Sequence, residues 1–392
     1  MLDVGERESL MKRFLGLSVA LACALAAHGG ELAADVTVSQ DADSRLVTVS
    51  YTLARDAVVT VSFTTNGVAL PRACLRDVLG DVNKRVKATG AGETRRILWK
   101  PTTAWQPLAQ TTALVAHVRV WPDSSPPDYL MHDLRTMRSS YYETEAELPY
   151  GPVTNAFYKS YALVMRKIPA AGVTWWMGDP SKTAGNDKAA YRKVFFDHDY
   201  YFSVFEVTIG QNKWMIGQIV DDSEANCRPA SSGTVSSMNT STIPAYVNKT
   251  GLSVRLPTSA EWEYACRAGT AETRFCPDIE LADYARIPDN SDWNADHSRR
   301  ICSVVGTRKP NPWGLYDMLG NMNEYTSDWS GALTPSETAE TNPTGPASGT
   351  QWVYRGGSFM DSVSTATSFF ANGYNNTSES LGFRLVLVPQ AE

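Results

Sequence analysis

The stretch Arg255-Leu256-Pro257-Thr258-Ser259-Ala260-Glu261-Trp262-Glu263 leaves the chain little freedom at that point. Thr258 and Glu261 have the spacing of a capping box, in which a hydroxyl and a carboxylate satisfy the first orphan amides of a helix. Trp262, Ala265 and Cys266 then fall on one face at helical spacing, and Gly269 is placed to end the element. Thr208-Ile209-Gly210-Gln211 has the same capping-box form. From about Ser160 onward the rest is long, irregular and punctuated by Gly, Pro, Asn and Trp. Eleven tryptophans in the chain point to loop-rich cores anchored by large rings, and against a repeat array or a coiled coil.

The amino-terminal part reads differently. Met11-Lys12-Arg13 precedes an apolar run from Phe14 to Ala27, which is a charged n-region followed by an h-region of signal-peptide length. A signal peptide is expected over 1–27. The acidic lead Met1 to Leu10 fits no such signal, so Met11 is an alternative start. The apolar run is too short for a membrane span, and no transmembrane anchor is expected beyond it. An exported protein, periplasmic or at the cell surface, follows. Cys74, Cys227, Cys266, Cys276 and Cys302 then remain, an odd number with no Cys-x-x-Cys spacing. A net charge of −6 argues against a nucleic-acid surface.

Over 32–122 apolar and polar residues alternate in short runs, as in Leu46 to Leu53 and Val58 to Phe63, and Asn66-Gly67 is a hairpin signal. An all-β, immunoglobulin-like sandwich is expected there. Ser124-Ser125-Pro126-Pro127 marks a break, so 123–159 is read as a linker and 160–392 as a second domain.

Two further blocks accompany the Arg-Leu-Pro-Thr helix start. One is Gly314-Leu315-Tyr316-Asp317-Met318-Leu319-Gly320-Asn321-Met322-Asn323-Glu324-Tyr325. The other joins Arg355-Gly356-Gly357-Ser358-Phe359 to Gly382-Phe383-Arg384. Fainter echoes are Phe205-Glu206-Val207-Thr208 and Val173 to Gly178. In this order the blocks resemble the formylglycine-generating enzyme family, the sulfatase-modifying-factor domain. The resemblance implies an α+β, C-type-lectin-like fold.

It also implies one structural calcium ion, held by the side chains of Asp317 and Glu324 and the carbonyls of Gly320 and Met322. A hard cation wants such a gathering of oxygens. Without the resemblance, Asp317 and Glu324 read as two solvated carboxylates. At the family's other calcium position an expected Asn is replaced by Arg286, and that site is left empty. Active members carry two cysteines in the closing stretch. Here those places hold Asp361 and Ala366, so copper is not expected. The five histidines are scattered with no two at ligand spacing, so iron is not expected either.

Between the two closing motifs, Ser362 to Ser380 is rich in hydroxyls, amides and aromatics, the mixture of an adaptable recognition surface. Asp361, Asn372, Tyr374, Asn375 and Asn376 are the candidate ligand contacts, for a protein, peptide or glycan. Arg255, Arg355 and Arg384 are expected to brace loops. Trp262, Trp313, Trp329, Phe369 and Phe370 are expected in the core. The function expected is a non-catalytic binding protein. Its rivals are a formylglycine-generating oxidase or other oxygen-dependent non-haem metalloenzyme, and a plain spacer.

Overall fold

The computed structural model describes residues 30–75, 78–101, 113–185, 187–231 and 233–389. The expected signal peptide lies outside the described residues. The chain divides into two units, Met1–Pro127 and Asp128–Glu392. Among the described residues no helix is long and apolar enough to cross a membrane.

In the first unit, β-branched alternation produces two antiparallel sheets. One runs Ala34–Gln40, Val47–Thr52, Arg95–Trp99, Val78–Gly80. The other runs Glu31–Leu32, Leu114–Trp121, Ala57–Thr65, Val68–Ala69, with Lys84–Val86 also paired to Ala57–Thr65. Val49, Tyr51, Ile97 and Trp99 from the first share one core with Val59, Val61, Phe63 and Val118 from the second. Trp99 lies 4.9 Å from Phe63, centroid to centroid, and its indole N–H donates to the Cys74 carbonyl at 2.8 Å. Asn66 and Gly67 both take positive φ, which turns the chain between its two strands as the hairpin signal requires.

The second unit is a mixed α/β body made mostly of sheet. Its central sheet runs Arg138–Tyr142, Tyr129–Asp133, Ala162–Ile168, Tyr200–Ser203, Val386–Leu387, Val254–Arg255, antiparallel throughout. This corrects the linker expected over 123–159. Tyr129–Asp133 is buried along its whole length and pairs on both sides, with Leu130 opposite Met165 and Tyr141. The Ser-Pro-Pro break marks the boundary, but the apolar residues that follow need a sheet to cover both of their faces. A four-stranded sheet runs Ala371–Tyr374, Trp352–Arg355, Asn323–Trp329, Leu381–Phe383, the last pair parallel. A third sheet joins Val173–Met177, Arg192–Phe196 and Ser336–Thr341.

Both capping boxes form. The Thr208 hydroxyl accepts from the Gln211 amide at 3.1 Å, and that of Thr258 accepts from the Glu261 amide at 3.1 Å. Gln211 and Glu261 reach back to the Thr208 and Thr258 amides at 3.0 and 2.7 Å. The helix Ser259–Arg267 buries Trp262, Ala265 and Cys266 as expected, but it is Ala268, not Gly269, that caps it in the left-handed region. Gly269 follows, also at positive φ.

Because Tyr129–Asp133 sits inside the central sheet, a fragment of residues 128–392 should unfold in one cooperative transition. A fragment starting at Ser160 lacks two strands of that sheet and should show no such transition in urea. Equal cooperativity of the two fragments would contradict the strand assignment.

Candidate functional site

The expected loop bracing is borne out, and it organises the centre of the second unit. Arg384 is fully buried. Its Nε donates to Glu324 Oε1 at 2.8 Å, and Nη1 donates to the carbonyls of Ser203 at 3.2 Å and Val204 at 2.9 Å. Nη2 donates to the Tyr316 carbonyl. Glu324 Oε2 accepts from the Trp262 indole at 2.7 Å. Arg355 repeats the pattern. It donates to Glu263 at 3.0 Å and to the Ser259 hydroxyl at 2.7 Å, while Glu263 also accepts from Arg267 at 2.9 Å and the Gly178 amide at 2.8 Å. Arg255 grips Glu261 through two bonds of 2.7 Å. Each of these charges is met by an opposite charge or by carbonyls, as a low-dielectric interior demands.

These bonds also engage the residues expected to hold calcium. Both oxygens of Glu324 are already taken by Arg384 and Trp262. Asp317 Oδ2 accepts from the Gly306 amide at 2.6 Å, and its Oδ1 is buried with no hydrogen-bond partner. The Gly320 amide donates to the Gly356 carbonyl at 2.9 Å, and the Met322 amide to Glu206 Oε1 at 2.9 Å. Among the described residues no three His, Cys, Asp or Glu side chains are grouped to hold a metal ion. The Glu324 charge is met by the Arg384 guanidinium. Arg286 is likewise committed to the Asn290 carbonyl and the Thr307 hydroxyl.

Glu206 is the residue that the sequence offered with no role attached. It is fully buried, accepts from the Asn321 amide nitrogen at 2.5 Å, and shares the region with Asp317 and Glu324. Burial above all, then those two carboxylates, raises its pKa well above the usual range. Burial also raises Asp317 and Glu324, with Arg384 opposing it in both. The available signal was an acidic residue flanked by Phe205 and Val207.

At the positions of the missing thiols, Asp361 accepts from the Asn323 amide and the Ser358 hydroxyl, both at 2.6 Å, and the Ala366 methyl is packed in the core. The described cysteines are all free thiols. Burial pushes Cys266 up to about 12, Cys276 to about 11 and Cys302 to about 12, which leaves them protonated near neutrality.

The candidate contacts divide. Ala371–Tyr374 is an edge strand, not a loop. Asn372 Oδ1 accepts from Lys188 Nζ at 2.8 Å, and the Asn376 carbonyl accepts from the Tyr325 hydroxyl at 2.9 Å. Tyr374, Asn375 and Asn376 are exposed. Strand register sets Trp329 opposite Trp352 and Trp352 opposite Tyr374, so three aromatics form one row on one sheet face. Trp329 and Trp352 stack at 3.6 Å and are only half-buried. Trp329 is therefore not the core residue that was expected. Trp313, Phe369 and Phe370 are half-buried as well, while Trp262 is core.

Two expectations follow. Glu324→Ala would strand the Arg384 charge in the interior and should cost about 3–5 kcal/mol in urea unfolding, equally in calcium chloride and in chelator. A loss confined to calcium would restore the ion. Asp328, whose Oδ1 accepts from the Ser259 amide at 2.9 Å, is raised by burial to about 6. A raised carboxyl stabilises the fold most at low pH, and that contribution is lost as pH rises through the folded value. Asp328→Asn should thus be more stable than wild type at pH 8, by at most about 3 kcal/mol, with the difference vanishing near pH 4. A gain that does not depend on pH would contradict this.

Comparison with known proteins agrees with the motifs. The model of the sulfatase-modifying factor enzyme 1-like domain matches residues 174–388, more than half of the chain. A formylglycine-generating enzyme of Streptomyces coelicolor is 35% identical over 143 residues, covering 33% of this chain and 45% of that protein. A protein called chaperone protein LppX, from Paenibacillus barcinonensis, is 34% identical over 147 residues, covering 32% and 48%. The chain thus spans less than half the length of these curated relatives. Among solved structures, Treponema denticola variable protein 1 superposes with a TM-score of 0.50 at 22% identity, over 59% of this chain and 96% of that one, a likeness of fold. The chain belongs to the sulfatase-modifying factor enzyme 1-like domain family.

Proposed function

We propose that the chain is a non-catalytic member of this family, exported from the cell, that binds a protein, peptide or glycan partner. The binding surface is the aromatic row Trp329, Trp352 and Tyr374 with the adjoining Asn375 and Asn376. The row itself is the observation that carries the reading. Three large rings in register on a sheet face, half-open to solvent and bordered by amides, supply contact area at little entropic cost. The amino-terminal unit is read as an immunoglobulin-like spacer, and the second unit as a C-type-lectin-like scaffold.

The absence of catalysis rests on donor chemistry. Oxidation of a substrate cysteine in active members uses two thiolates, and soft thiolates are what select reduced copper. A carboxylate already engaged by Asn323 and Ser358, beside a packed methyl group, offers neither.

Two measurements test the reading. Purified protein given copper(I) and a cysteine-bearing sulfatase peptide in air should form no formylglycine and retain no stoichiometric copper after desalting. Both appearing together would establish the oxidase. On glycan and peptide arrays, wild type should bind at least one class, and Tyr374→Ala with Asn375→Ala should bind about tenfold more weakly, the scale of one or two lost contacts. No binding by wild type would leave only the spacer.

A further inference from the structure

The carboxylate at the first of the missing thiol positions is only half used. Asp361 Oδ2 accepts from Asn323 Nδ2 and from the Ser358 hydroxyl, both at 2.6 Å, which fills its two lone pairs. The Asp361 amide donates to the Ser358 carbonyl at 3.2 Å, so the side chain and its turn are held as one unit. Oδ1, by contrast, meets no donor among the described residues and is not closed off from solvent. No described lysine or arginine pairs with Asp361. Lys188 is spent on Asn372, and Arg274 on Asp278 and two carbonyls.

Strand register places this carboxylate among rings. Tyr325 pairs with Tyr354 and Tyr354 with Asn372, so together with Asn323 they share the sheet face of Trp352 and Tyr374. Asn323 thus draws Asp361 onto that face beside Tyr354, whose hydroxyl is raised by burial first and by the Asp361 charge second. Phe370 lies 6.0 Å from Tyr354, edge to face, and Met360 is 64% exposed.

An open carboxylate oxygen bordered by rings and a thioether suits an ammonium group on an apolar stem. We propose that Asp361 Oδ1 binds the ammonium of a lysine side chain in a partner peptide, its stem lying along Tyr354 and Met360. The inference rests on the binding surface proposed above and names a peptide, not a glycan, as its occupant. A fork-to-fork pairing with arginine needs both carboxylate oxygens, and Oδ2 is already filled. A sugar hydroxyl donating to Oδ1 would leave the charge unneutralised on a half-covered face. The chain's net charge of −6 also favours a cationic partner.

The test follows the Asn323 side-chain amide, which donates to the same carboxylate, in nitrogen-15 spectra of the full chain. N-acetyl-lysine methylamide should shift that signal saturably, while its Nε-acetylated form and N-acetyl-glutamate methylamide should not. Asp361→Asn keeps an oxygen for Asn323 and Ser358 but replaces Oδ1 with a donor. It should weaken the lysine probe at least about tenfold, the scale of one charge-assisted hydrogen bond, at an unchanged melting temperature. Equal shifts by all three probes overturn the proposal, as does undiminished binding by the variant. A silent lysine probe overturns it too, and with array binding intact it leaves the aromatic row standing. Array binding by glycans alone overturns the choice of a peptide.

Discussion

The buried pairing of Arg384 with Glu324 is the constraint on which the second unit depends. The unit is built from short strands and long connections, so carbonyls at strand ends must find donors away from the sheet ladders. A guanidinium carries five donors in a rigid fork, and Arg384 spends four of them on one carboxylate and on three carbonyls from two distant segments. Strand Asn323–Trp329, the end of strand Tyr200–Ser203 and the Tyr316 loop are thereby tied at one point. Arg355, Glu263 and Arg267 do the same for the helix Ser259–Arg267 and the Gly178 turn. Buried ions tolerate few alternative arrangements, so they select one geometry more than they add net stability.

Local features of this arrangement were legible in the sequence. The capping boxes involve residues three apart, and the Asn-Gly turn is set by two, so short-range sterics decide both. The bracing arginines could be read because they sit inside the family's motifs. What could not be read was long-range competition for the same atoms. The loop Asp317 to Glu324 displays a cation's worth of oxygens, but the guanidinium that claims Glu324 lies sixty residues further on. Asn372 and Asn376 looked free until Lys188 and Tyr325 were brought to them. The strand Tyr129–Asp133 was hidden because its partners, and hence its burial, come from residues that follow a break in composition.

The same separation holds between fold and chemistry. The motifs that identify the family are largely those that hold the frame together: Arg255 with Glu261, Glu324 with Arg384, Trp262 against Glu324. None of these bonds needs the two positions occupied here by Asp361 and Ala366. A frame held by buried arginines can therefore exchange its reactive groups without collapsing, and relatives of similar identity can bear names as different as an enzyme and a chaperone. The surface left open by this frame, a row of aromatic rings at a sheet edge, is the one proposed here to bind a partner.

The most direct test of the account is a double-mutant cycle in urea unfolding with Arg384→Met, Glu324→Gln and the pair. If the buried ion pair holds the frame, each single change should be costly and the double change much less than their sum, a coupling of about 2–3 kcal/mol. Additive losses would mean that the two side chains act independently, and the frame would have to be held by something else.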